Sequence, residues 1–166
     1  MPDSLTNAPP RDAPMFAPDA FRLTERQGQL IGRARRFGQE VLAPRAAQWD
    51  RSASFPLINF RDMHSAGLLG ICVPTADGGP GVDFQTYCLM AAELGRYCGA
   101  TALSWNMHVC STLWSGVLTD DLDMPEATRA EHRLRRAVHF KRIMEEGALY
   151  AQPFSEGGSA AAGVVA

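Results

Sequence analysis

The stretch TALSWNMHVCSTLWSGV, Thr101 to Val117, carries no Asp, Glu, Lys or Arg. Leu103, Met107, Cys110, Leu113, Trp114 and Val117 recur mostly at intervals of three and four, the spacing that keeps side chains on one side of an α-helix. A helix that is apolar almost all round belongs in the middle of a helical bundle, because only neighbouring helices can cover it. His108 and Asn106 are the polar exceptions. A hydrogen-bonded core histidine is the plain reading of His108, and a polar group lining a pocket is the alternative.

Upstream of this segment the chain reads as further helices. Thr24 is placed to cap a helix N-terminus with Gln27 reaching back, a capping box. Leu30, Ala34, Phe37 and Val41 then form an apolar stripe, with Arg33, Arg35, Arg36 and Gln39 outside it. Pro44 lacks an amide proton and should kink or interrupt this helix before the pattern resumes through Ala46, Ala47 and Trp49. Pro56 can open a short second helix with Leu57, Phe60 and Met63 inward, and Gly67 suits its C-terminal cap. Gly78, Gly79 and Gly81 mark a loop, after which Asp83 caps a helix carrying Phe84, Tyr87, Cys88, Ala91 and Leu94 on one side.

Downstream, Pro125 can start a last helix that runs to Gly147 with Leu134, Val138 and Ile143 inward. ALYAQPFSEGG, Ala148 to Gly158, changes character and reads as a strand entering a glycine turn. Five prolines among small polar residues make residues 1–20 read as a flexible tail. The expected fold is therefore all-α: a bundle of about five helices over residues 21–147, a disordered N-terminal tail over 1–20, and a short β segment opening 148–166.

Charge and composition narrow the function. Sixteen basic and eighteen acidic residues leave a net charge of −2, which recommends neither nucleic acid nor an anionic membrane as a partner. Cys72, Cys88, Cys98 and Cys110 lie in or beside apolar segments without zinc-type spacing, and read as buried free thiols of a cytoplasmic protein. The N-terminus lacks the basic and apolar blocks of a signal peptide, and no apolar run is long enough to cross a bilayer. His132 and His139 share a helix, yet no carboxylate or thiol stands at a spacing that completes a tetrahedral set, so no metal is expected. DGGPG, Asp77 to Gly81, lacks the lysine of a phosphate-binding loop and reads as a tight interhelical connection. The basic run RLRRAVHFKR is flanked by Glu126, Glu131, Glu145 and Glu146 and reads as a solvated helix face.

Four stretches in order carry a family resemblance: LTERQ (23–27) with RRFGQEVLAPRAAQWDR (35–51), SAGLLGICVPTADGGPGVD (65–83), AAELGRYCGATALSWNMH (91–108) and YAQPFSEGG (150–158). Together they resemble the N-terminal part of the acyl-CoA dehydrogenase family. The resemblance implies a helical N-terminal domain, a middle β domain whose first strand is ALYAQPF, and a C-terminal helical bundle. It implies FAD as cofactor and an acyl-CoA thioester as substrate, a carboxylate base removing the α proton while hydride leaves the β carbon for the flavin. Ala102, Leu103 and Asn106 would line the acyl pocket, Gln152, Phe154 and Ser155 would meet the flavin ring, and Ser159 would stand where a ligand-contacting serine is usual.

SEGGSAAAG departs from the family pattern by lacking a proline and an aspartate. No glutamate of this chain matches the family's catalytic base, so no catalytic residue is assigned. The resemblance also implies a homo-oligomer, and a chain that is truncated relative to the family, inactive alone and exposing an apolar flank. A flavin-dependent monooxygenase of the same fold, or a non-catalytic helical interaction module, are the alternatives.

Overall fold

The computed structural model describes residues 18–113 and 117–151. Among them the regular structure is all-α. Contacts divide the chain into two compact units: residues up to Leu68 with Val82–Leu103, and Leu69–Gly81 with the residues from Ser104 onward.

The first unit begins its helices at α1, Glu25–Phe37, which Thr24 and Gln27 cap reciprocally as the local chemistry predicts. Pro44 does not interrupt the helix. A π turn, Gly38–Leu42, precedes it and runs directly into α2, Ala43–Ser52, and the i−5 bonding there, Ala43 N–H to Gly38 O, accommodates a residue that has no amide proton to donate. The wider turn rotates the register, so Leu42 is buried and Val41 only half-buried. Ile31, Ala34 and Phe37 are the buried residues of α1, which packs on α4, Phe84–Gly95. Gly38 sits against the Tyr97 ring with no room for a side chain.

Helix α3, Leu57–Ser65, ends in a Schellman turn: Gly67 has φ of 69°, and the Gly67 and Leu68 amides return to His64 O and Met63 O at 2.9 and 2.8 Å. Phe60 and Met63 are buried, whereas Leu57 is exposed. On α4 the expected stripe is displaced. Phe84 is 69 % exposed and Cys88 is exposed, while Thr86, Tyr87, Leu89, Met90, Glu93 and Leu94 face inward. The cause is that inward polar positions find partners: Glu93 meets Arg35, 58 residues away, and Arg96 one turn on, and Thr86 bonds the capping Asp83.

The second unit holds the glycine loop, the later part of α5 (Gly99–Thr112), and α6 (Glu126–Lys141) with a terminal π turn, Arg142–Glu146. Gly78 and Gly81 take positive φ, and Gly79 lies on the Val73 backbone, so the loop's own turns account for its glycines. Leu134 and Val138 of α6 do not point inward; they are 74 % and 55 % exposed, and Ile143 alone of that expected set is buried. Arg136 takes the inward position. Its guanidinium pairs with Asp120 at 2.7 Å, reaches Asp77 at 3.8 Å, and lies over the Phe140 ring.

The four cysteines are free, but only Cys72 and Cys98 are buried; Cys88 is exposed and Cys110 half-buried. Residues 148–151 have no regular structure, so the expected strand is not seen among the described residues; the rest of that stretch, like residues 1–17, lies outside them. No helix among the described residues is long and apolar enough to cross a membrane.

Candidate functional site

Helix α5 runs from the first unit into the second, and its start is fastened within the first. Thr101, fully buried, receives the Asn59 side-chain amide at 3.1 Å and the Cys98 thiol at 3.1 Å. Asn59 in turn accepts from Arg45 at 3.2 Å, and Arg45 pairs with Asp62 at 2.6 Å. Asn59 and Thr101 are thereby satisfied within one hydrogen-bonded network, which fixes the register of the helix start.

Ala102 is buried beside this network, whereas Leu103 turns outward and is 64 % exposed. Further along the helix, in the second unit, Trp105, His108 and Val109 are buried and Asn106, Met107 and Cys110 are half-open. The open positions recur at three and four residues, so one side of α5 presents Leu103, Asn106, Met107 and Cys110. Of the face expected from the sequence, Leu113 is buried, Met107, Cys110 and Val117 are half-buried and Leu103 is exposed, while Trp114 lies outside the described residues. Of the expected site residues, Leu103 and Asn106 lie on the open side and Ala102 on the buried side. Gln152, Phe154, Ser155 and Ser159 lie outside the described residues.

Behind the open side stands His108, 2 % exposed. Its Nδ1 accepts the Tyr150 backbone N–H at 3.0 Å, so the neutral ring carries its proton on Nε2. Nε2 makes no hydrogen bond of ordinary geometry, although a looser interaction with the Leu69 backbone favours protonation. Burial dominates, and pushes the pKa down to about 4. Tyr150 is held a second time by its hydroxyl, 2.9 Å from His139 Nδ1, with the two rings edge to face. His132 bonds Thr119 at 2.6 Å. A cleft of about 240 Å³ opens between Thr112, His132, His139, Phe140, Ile143 and Tyr150. No metal-binding group of three or more His, Cys, Asp or Glu occurs among the described residues.

The plain reading of His108 as a hydrogen-bonded core residue holds, but Tyr150 was not legible as its partner: the two are 42 residues apart, and the contact is to a backbone amide that any residue offers.

The burial of His108 carries a pH dependence. Its folded pKa lies below the ordinary 6.5, so between pH 6.5 and about 4 the unfolded chain binds a proton that the folded chain refuses. Stability is expected to be unaffected above pH 6.5 and to fall by about 3 kcal/mol towards pH 4. Urea midpoints across this range should show the slope in the native chain and lose it in His108→Asn. Asp83 acts lower on the scale. Burial raises its pKa, but hydrogen bonds from the Thr86 amide, Gln27 and the Thr86 hydroxyl outweigh that and hold it below 3.8, so its contribution is lost only as pH falls beneath that value.

Residues 24–117 match the family model described as "Acyl-CoA dehydrogenase, N-terminal domain". The chain is 36% identical over 85 residues to the probable acyl-CoA dehydrogenase YngJ of Bacillus subtilis, an alignment covering 51% of this chain and 22% of that protein. It is 36% identical over 88 residues to the mitochondrial isovaleryl-CoA dehydrogenase of Pongo abelii, covering 52% and 21% of the two chains. It is 37% identical over 81 residues to the 3-sulfinopropanoyl-CoA desulfinase of Paraburkholderia xenovorans, covering 49% and 21%. The aligned stretch spans about a fifth of the length of these relatives.

Proposed function

Because the chain belongs to the acyl-CoA dehydrogenase family, we propose that it supplies the helical wall of an acyl-CoA site in an FAD-dependent oxidoreductase that dehydrogenates an acyl thioester between its α and β carbons. The observation that carries this reading is the match over residues 24–117, which contains the outward side of α5. Each relative's name specifies a CoA thioester, whereas the reactions named differ, so the thioester is the firmer part of the reading.

In this reading residues 21–147 form the helical domain and 148–166 begin the middle domain. Leu103 supplies apolar surface to the acyl chain and excludes water from it, and Asn106 offers an amide one helical turn further on. Gln152, Phe154 and Ser155 contact the flavin, and Ser159 the thioester. FAD, when bound, would accept the hydride released from the β carbon. The non-helical chain from Ala148, tied down at Tyr150, fits a segment that must bring backbone groups to a flat ring. Exposed Leu134 and Val138 are surface available to further parts of the protein or to a second copy in a homo-oligomer.

The test is a hybrid in which residues 24–117 replace the matching stretch of the Bacillus subtilis relative. It should bind FAD, and its visible absorption should bleach when a short acyl-CoA is added without oxygen. Leu103→Asp in the hybrid should weaken that acyl-CoA at least tenfold. A hybrid with native helical circular dichroism and bound flavin that no acyl-CoA bleaches would overturn the reading. The 166-residue chain alone is expected to be colourless and inactive with acyl-CoA and an electron acceptor; a preparation holding stoichiometric FAD would contradict the division of labour described above.

A further inference from the structure

We propose that His108 and His139 are positioning residues: they clamp Tyr150 at two points and so fix where the chain leaves the helices towards the segment assigned to the flavin. The inference rests on the functional reading above for its meaning, and on geometry for its existence.

The first point is the Tyr150 amide on His108 Nδ1 at 3.0 Å, and the second is the Tyr150 hydroxyl with His139 Nδ1 at 2.9 Å. The two histidines hold opposite ends of one residue, backbone and side chain. Ring contacts add to this: the His108 and Tyr150 rings lie 29° apart in orientation with centroids 6.5 Å apart, and the His139 ring meets Tyr150 edge-on at 5.2 Å. A single hydrogen bond on an irregular segment leaves rotation about the bond free. Two bonds from different helices remove it.

The placement of the two anchors matters as much as their number. His108 stands on α5 between Asn106 and Cys110, which lie on its open side, so the bond that holds Tyr150 starts on the same helix as the proposed acyl wall. His139 stands on α6. Gln152 is two residues beyond Tyr150, and an extended chain advances only about 3.3 to 3.6 Å per residue, so fixing Tyr150 limits where the flavin-contacting residues can go. Catalysis between a bound thioester and a bound flavin depends on their separation, and misplacement by about 1 Å can cost on the order of a hundredfold in rate. His108 couples the two walls through one side chain. Because burial keeps its ring neutral near pH 7, Nδ1 stays an acceptor there.

The experiment compares His108→Leu, which keeps bulk and loses the acceptor, with His108→Asn, whose amide oxygen can replace Nδ1, and with Tyr150→Phe, which loses only the hydroxyl anchor. Amide hydrogen exchange in the 166-residue chain should accelerate at Tyr150 at least tenfold in His108→Leu relative to Ile143, and return most of the way in His108→Asn. Equal acceleration at Tyr150 and Ile143, or none at Tyr150, would overturn the clamp and leave the family reading intact. The same substitutions in a longer hybrid, in which residues 24–151 replace the corresponding stretch of the Bacillus subtilis relative so that both histidines and Tyr150 are carried into a flavin-binding protein, should raise the FAD dissociation constant about tenfold in His108→Leu and little in His108→Asn, with Tyr150→Phe between. Exchange changes at Tyr150 with unchanged flavin absorption and affinity would show a clamp without a positioning role, and the inference would fall.

Discussion

Replacing Glu93 with leucine is expected to remove about 3–5 kcal/mol of folding stability. The Glu93 carboxylate is 1 % exposed and lies between two guanidinium groups: Oε1 accepts from Arg35 Nε and Nη2 at 3.2 and 3.0 Å, and Oε2 accepts from Arg96 Nη1 at 3.2 Å. Such a pair gains little net stability over a well-packed apolar replacement, since desolvating the charges costs nearly what their attraction returns. Removing one side only is different, because the remaining charges stay where water cannot reach them. The Arg96 side chain is 9 % exposed and cannot escape, whereas Arg35 at 24 % can reorient towards solvent. Arg35→Met should therefore cost clearly less than Glu93→Leu. Urea unfolding of the three proteins reads this order directly; a Glu93→Leu loss below about 1 kcal/mol, or an Arg35→Met loss equal to it, would show that the carboxylate is not what holds α4 against α1.

The same residue explains why part of the fold was legible in the sequence and part was not. Capping is local chemistry, and the Thr24 box, the Asp83 cap and the Gly67 turn stand as the residues alone predict. The faces of α4, α5 and α6 depend on what other segments bring. Glu93 and Arg136 read as solvent-facing by type, yet each is buried because oppositely charged groups far away in the sequence meet it. Once those positions turn inward, helix geometry forces Phe84 and Leu134 outward. In α5 the apolar residues run nearly all round, so periodicity could identify a buried helix but not which side stays open. That open side is the part of the candidate site that matters most. The resemblance to a family, rather than any pattern of spacing, singled out Leu103 and Asn106 there.

Alanine at Gly79 is expected to cost about 3 kcal/mol, at the upper end for overpacking, whereas alanine at neighbouring Gly78 should cost about 1 kcal/mol. Gly78 has φ of 84° with open space where a Cβ would stand, so its substitution adds backbone strain and nothing else. Gly79 has the opposite problem. A Cβ there would run into the carbonyl of Val73, a buried residue whose oxygen also accepts the Gly81 amide at 2.9 Å. The obstacle is backbone rather than the far end of a flexible side chain, and the Gly79 amide is itself tied to Pro74 O at 3.0 Å, so neither partner can yield without losing a hydrogen bond. The comparison separates a glycine kept for its torsion angle from one kept for its missing side chain. Thermal or urea unfolding of the two alanine variants decides it: equal losses would mean that the loop gives way at Val73, and that DGGPG is a soft connection rather than a fixed brace for the start of the second unit.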